Sequence, residues 1–257
     1  MEDKQLIRVE RTGGIAVITL DNPPLNLLTP ALLGQLKDAI KDLSADSDMR
    51  CVVITGAGDR AFCAGADVNT FHVLPPGTNG LYGRMVMDTL ESSRLPIIAA
   101  IDGYALGGGL ELALSCDIRI ASEEAKIGLT EANLGLIAGY GGATRLPWLI
   151  GEGNAKLMIY SADKFSGAEA KELGVVQYVV PREKLMEKAM ALAEKFASKG
   201  PLSISVSKEI FHAARQSALG AGFRQEALSG TKINGSYDAG EGIRALREKR
   251  KPEFKNK

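Results

Sequence analysis

The 257-residue sequence is poor in the residues on which several chemistries depend. Histidine occurs only at His72 and His212, far apart and without ligand spacing, which argues against a histidine-based metal centre. Cysteine occurs only at Cys51, Cys63 and Cys116, an odd number with no CxxC pair. That usage predicts a reducing compartment, no disulfide framework and no zinc site. Excess charge is missing too, since 31 Lys and Arg balance 31 Asp and Glu. The balance speaks against nucleic acid or an anionic membrane as the main partner. No apolar run reaches membrane-spanning length, because Asp102, Glu111 and Asp117 break the most hydrophobic region. The opening MEDKQLIRVE lacks the apolar core of a signal peptide. The expectation is a soluble, cytoplasmic protein.

Familiar motifs are lacking as well. Neither G-x-G-x-x-G nor G-x-x-x-x-G-K-[ST] is present, which disfavours nucleotide binding of those types. There is no G-x-S-x-G elbow, and scarce histidine weakens a Ser-His-Asp reading. Cys63 has no base near it in sequence, so a small residue packed in a turn is its plainer account.

What the chain does have is punctuated apolar pattern. Residues 7–22 read as a β-hairpin around Thr12-Gly13-Gly14. Thr29-Pro30 opens a helix striped by Leu33, Leu36, Ile40 and Leu43. CVVIT (51–55) and PIIAAID (96–102) read as buried strands, each running into a glycine-rich turn and then a helix. Residues 71–80 form a turn-rich loop. DIRIAS (117–122), AKIGL (125–129) and VVQYVV (175–180) are further strands, and Ser166 to Glu169 is a capping box. From Pro201 onward only helix signals remain, with no linker before them.

The glycine turns and two acids carry the chemical argument. Gly107-Gly108-Gly109 leads straight into LELAL, with Glu111 at its head. Three glycines cost backbone entropy, and a carboxylate among leucines costs solvation, unless something uses both. Turns after buried strands can present free N–H groups, and two that converge make an oxyanion hole, with the helix start adding its dipole. Glu131, in GLTEANLGLIAGYGG, is a second acid at the end of a strand. Singly, each glutamate reads as surface or cap; paired beside two glycine turns they become candidates for proton transfer.

AFCAGADV (61–68), GYALGGGLELALSCDIRIAS (103–122) and LTEANLGLIAGYGGATRL (129–146) resemble the three signature segments of the enoyl-CoA hydratase/isomerase (crotonase) family. The similarity runs from NPPLN (22–26) to EKRKPEFK (248–255). It implies an α/β fold: a spiral of ββα units over residues 1–200, forming two nearly perpendicular sheets. A C-terminal helical region, 201–257, would serve oligomerisation and coenzyme A contact. It implies hydration of a trans-2-enoyl-CoA thioester to the 3-hydroxyacyl-CoA, without metal or redox cofactor, coenzyme A being part of the substrate. By resemblance, the Ala66 and Gly108 amides hold the thioester oxygen and Gly139 N–H helps hold the water. Glu111 activates that water and Glu131 protonates C2. Coenzyme A contacts map to Leu25, Ala64, Asp67, Val68 and Asn69, with Leu246 and Lys249 of a neighbouring subunit in a homotrimer or a hexamer.

Both acids are present, which favours hydration over isomerisation. A double-bond isomerase, a cyclic dienoyl-CoA or crotonobetainyl-CoA hydratase, and an RNA-binding relative remain alternatives. Low aromatic content, 5% of residues, speaks weakly against the last. The tail from Arg244 carries basic residues at 244, 247, 249, 250, 251, 255 and 257 against Glu248 and Glu253. Departures from the family pattern fall at Asn69 (for Lys), Ala138 (for Pro), Ala143-Thr144 (for Thr-Gln) and the bulky Tyr140. The Tyr140 ring is expected to close the acyl channel, with packing under the turn as the alternative.

Overall fold

Two β-branched runs meet at Gly13 and Gly14, whose φ values of +58° and +81° reverse the chain. They give the antiparallel hairpin of β1 (Ile7–Thr12) and β2 (Ile15–Leu20) in a computed structural model that describes residues 4–75 and 77–255. The first three residues of the charged opening, Pro76 of the 71–80 loop and Lys257 of the basic tail lie outside the described residues. Helix α1 (Pro30–Ala45) starts as its sequence implies. The Thr29 hydroxyl accepts from Leu32 N–H at 3.1 Å, Pro30 takes the first position, and the leucine–isoleucine stripe is buried.

The spiral then turns three times. Strand β3 (Cys51–Gly56) is followed by β4 (Ala61–Cys63), a 3₁₀ turn Val68–Val73 and α2 (Asn79–Ser92). Next come β5 (Ile97–Ile101), β6 (Tyr104–Leu106) and α3 (Gly108–Leu114). The third pass is β7 (Ile118–Ser122), β8 (Lys126–Gly128), a 3₁₀ turn Glu131–Leu134 and α4 (Gly142–Ile150). Strands β3, β5 and β7 lie in one sheet and β4, β6 and β8 in another. Beyond them run α5 (Glu152–Ser161), β9 (Phe165–Ser166), α6 (Gly167–Glu172), β10 (Tyr178–Val180), α7 (Leu185–Ala197), α8 (Pro201–Asn234) and α9 (Tyr237–Glu248).

The six-stranded sheet has the order β1-β2-β3-β5-β7-β10, parallel from β2 onward. Both of its faces are covered, which is why CVVIT and PIIAAID show no alternation. Val52, Ile54, Ile97, Ala99 and Ile101 join the main core. Cys51, Val53, Ile98 and Ala100 pack beneath α7 with Leu185, Ala189 and Ala193. The four-stranded sheet, β4-β6-β8-β9, is parallel except at its β8–β9 edge.

Three expectations need correction. The strand–turn–helix unit occurs three times, not twice, the third hidden by the three-residue length of β8. Residues 71–73 and 79–80 belong to helical elements, which shortens the loop between them. Residues 175–177 are not strand, and only 178–180 pair with β7. The Ser166–Glu169 capping box forms in full. Helix α8 docks on α2 and α4, where buried Lys208 Nζ donates to Leu90 O (3.1 Å), Leu95 O (2.8 Å) and Asp117 Oδ2 (2.7 Å).

Candidate active site

Because β4 and β6 are parallel neighbours, the turns that follow them emerge side by side. Gly65 (φ +117°) and Gly107 (φ +52°) take conformations that L side chains rarely adopt. A Cβ on Gly108 would stand 3.2 Å from Ala66 N, and one on Gly65 would stand 3.8 Å from Gly108 N. The two amides are therefore close, and among the described residues neither is spent on another protein acceptor. The triplet now has a physical account. A side chain at Gly107 would press the Glu131 carboxylate, 3.1 Å from Oε1, and one at Gly109 would land on the Cys63 carbonyl.

Glu111 lies in the first turn of α3, a helix buried throughout. Its carboxyl is 2% exposed, and Oε1 accepts from Tyr140 N–H and Gly142 N–H, both at 2.7 Å. Burial, then the charges of Glu131 and Glu226, push its carboxyl well above the usual range, and the two N–H groups pull it back. Glu131 opens the 3₁₀ turn after β8. Its Oε2 is shut off from solvent with no hydrogen-bond partner. Burial raises its carboxyl to about 7, its own backbone N–H opposing and Glu226 adding to the rise. Both acids, with Ala66, Gly108 and Gly139, line one cavity of about 350 Å³.

The turn that carries Gly139 to Gly142 is held from below by Arg145. This buried guanidinium donates to Tyr140 O (2.7 Å), Glu91 Oε1 (2.9 Å) and Asp88 Oδ1 (2.7 Å). Sequence reasoning missed three parts of the site: Arg145, the Tyr140 and Gly142 amides, and Glu226 of α8, which also lines the cavity. The amides that grip Glu111 belong to Tyr140 and Gly142, and Gly139 borders the cavity beside them.

The Tyr140 ring meets both of the surroundings weighed for it. It borders the cavity, yet it is 7% exposed and packed in the main core. It lies flush on Gly83 of α2, where a Cβ would overlap the ring, and against Gly108. The ring thus packs under the turn while it also borders the cavity.

Of the residues mapped to coenzyme A, Ala64 and Val68 line the cavity. Leu25 sits beside them, its carbonyl accepting from Ala64 N–H at 3.0 Å. Asp67 turns inward on its own segment, accepting from Asn69 N and Nδ2, each at 3.0 Å. Leu246 and Lys249 are exposed at the end of α9, which packs on the 131–134 turn. Among the described residues, no group of three or more His, Cys, Asp or Glu is arranged to hold a metal ion. No described helix is long and apolar enough to cross a membrane.

Two close amides and two buried acids thus share one cavity. The family profile described as enoyl-CoA hydratase/isomerase matches residues 10–257. The chain is 42% identical over 246 residues to a probable enoyl-CoA hydratase of Bacillus subtilis, covering 94% of this chain and 95% of the relative. It is 36% identical over 254 residues to a short-chain-enoyl-CoA hydratase of Clostridium acetobutylicum, covering 97% of each. The crystal structure of a carnitinyl-CoA hydratase from Mycobacterium avium is similar at a TM-score of 0.88 and 35% identity, covering 99% of this chain and all of that one. The chain belongs to the enoyl-CoA hydratase/isomerase family.

Proposed function

We propose that this chain hydrates trans-2-enoyl-CoA thioesters to 3-hydroxyacyl-CoA. The observation that carries the reading is the placing of Glu111 and Glu131 on one cavity that the Ala66 and Gly108 amides also border. In this reading the two amide N–H groups donate to the thioester oxygen and stabilise negative charge as it develops there. Glu111, ionised, takes a proton from water as the water oxygen bonds to C3. Glu131, protonated, delivers its proton to C2, so that one water is added across the double bond. Gly139 borders the space for that water, and Ala64, Val68, Leu25, Asp67 and Asn69 form the coenzyme A side. No cofactor enters these steps. The names of the relatives, a probable enoyl-CoA hydratase and a short-chain-enoyl-CoA hydratase among them, support the same reading.

The protein works as a homotrimer or a pair of trimers in the cytoplasm, with residues 201–257 serving assembly and with Leu246 and Lys249 reaching a neighbour's coenzyme A. Exposed Trp148, Leu202, Ile210 and Phe211 support a buried subunit contact. Pure protein mixed with crotonyl-CoA should abolish the enoyl absorbance and yield 3-hydroxybutyryl-CoA. Conversion of a 3-enoyl-CoA to the 2-enoyl isomer without hydration would instead establish the isomerase alternative.

A further inference from the structure

A third carboxylate reaches the catalytic turn from the far end of the chain. Glu226 of α8 is 7% exposed, and its Oε2 accepts from Thr144 Oγ1 at 2.6 Å. Its Oε1 is buried with no hydrogen-bond partner. A helix that only covered an apolar cavity would place a hydrocarbon here, since a buried carboxylate with an unmet oxygen is costly. The expense points to a task.

Thr144 stands in the first turn of α4, two residues after Gly142. Gly141, the residue that caps α4, also turns its backbone N–H to the Glu226 carboxylate, which favours the charged form. The turn is therefore gripped on two sides. Glu111 holds the N–H groups of Tyr140 and Gly142, and Glu226 holds the Thr144 hydroxyl. The charged groups around Glu226 are Arg145 of α4, Arg84 of α2, Glu111 of α3 and Glu131 of the 131–134 turn.

We propose that Glu226 is a positioning residue for Glu111: by holding Thr144 it fixes the first turn of α4, and with it the two N–H groups that aim the Glu111 carboxylate. Helix α8, which forms part of the cavity wall, is thereby linked to the alignment of the base. This inference rests on the two-acid hydration proposed above.

The test is steady-state hydration of crotonyl-CoA by Glu226→Ala, Glu226→Gln, Thr144→Val and the Glu226→Ala/Thr144→Val pair, beside Glu111→Gln. A misaligned reacting group typically costs ~10- to 100-fold in rate. Glu226→Ala and Thr144→Val should each lower kcat by about that much while KM stays within about twofold. The double variant should be no slower than Glu226→Ala alone, because that change already removes the contact that Thr144→Val breaks. Glu226→Gln keeps an acceptor for Thr144 and should restore most of kcat. Should Glu226→Ala fail to fold, Thr144→Val and Glu226→Gln still read the same link. The inference is overturned if Thr144→Val keeps the parent kcat, if the two losses multiply, or if glutamine does not rescue. Failure of the underlying reading looks different, because Glu111→Gln would then itself retain hydration.

Discussion

The two sides of the cavity hold their acids in opposite ways. Glu111 stands on a buried helix with two N–H groups on one oxygen, each at 2.7 Å. Glu131 stands on a four-residue 3₁₀ turn, its Oε2 meeting nothing. Donors on an oxygen favour the charged carboxylate, whereas an enclosed oxygen without donors favours the protonated form. In the proposed reaction the held side is the base and the open side the acid, although burial raises both. Like charges lining one cavity resist double ionisation, so the pair titrates as a unit.

The largest test of that contrast removes one acid at a time. In Glu111→Gln the amide oxygen can still accept from Tyr140 and Gly142, so the turn should persist while proton transfer fails. Groups in such roles contribute ~10²–10⁴-fold, and each of Glu111→Gln and Glu131→Gln should lower kcat by that order with coenzyme A affinity nearly intact. Hydration at the parent rate by either variant would refute the division of labour.

Tyr140 packs beneath the held side, its ring wedged between Gly83 and Gly108. Replacing a buried aromatic ring with alanine costs ~3–5 kcal/mol. In a chain of this size each kcal/mol moves Tm by about 2–4 °C. Tyr140→Ala should therefore melt roughly 10 °C lower and lose kcat/KM in parallel from crotonyl-CoA to octenoyl-CoA. A crossing of the chain-length profiles, with longer substrates gaining, would show that the ring closes the acyl channel after all.

The open side carries a smaller, pH-dependent cost. Burial raises Glu131 from the ordinary 4.5 to about 7, so between those values the folded protein holds more proton than the unfolded chain. Stability is full below 4.5 and declines as pH rises to about 7. Glu131→Gln cannot ionise and escapes the decline. Its Tm should match or exceed the parent's by a margin that widens as pH rises from 4.5 to about 7. A margin that is flat with pH would show that Glu131 titrates normally.

How far the sequence discloses such a site depends on the reach of each interaction. The Gly13-Gly14 hairpin, the Thr29 cap and the Ser166–Glu169 box are local, and all are legible. So are the two glycine turns, because bare backbone has few other uses there. Arg145 is different, since its ion partner Glu91 lies 54 residues away on another helix. Glu226 lies 82 residues from Thr144, in a helix whose sequence shows no sharp apolar stripe. Gly83 reads as a weak helix residue until Tyr140 is seen lying on it. Long-range packing, not local preference, makes these residues functional.

The smallest expected effect lies on the rim, where α9 packs on the Glu131 turn. Two of the tail's basic residues are already paired within the chain. Arg250 bonds Glu241 at 2.5 Å and Glu248 at 2.6 Å, and Arg244 bonds Glu241 at 3.1 Å. Lys249 closes α9 in a left-handed conformation, φ +54°, with its side chain exposed. If that ammonium meets a coenzyme A phosphate, the contact is solvent-screened and worth ~0.2–1 kcal/mol. Lys249→Gln keeps the side-chain length and removes the charge. It should weaken free coenzyme A by about 1.5- to 5-fold at low salt. The difference should vanish near 0.5 M salt, where the screening length falls to about 4 Å. Dephospho-CoA separates the 3′-phosphate from the pyrophosphate, since a variant that differs only with intact coenzyme A has lost a 3′-phosphate contact. Equal affinities at low salt would return Lys249 to solvated surface, leaving the rim without a part in the contrast between the two acids.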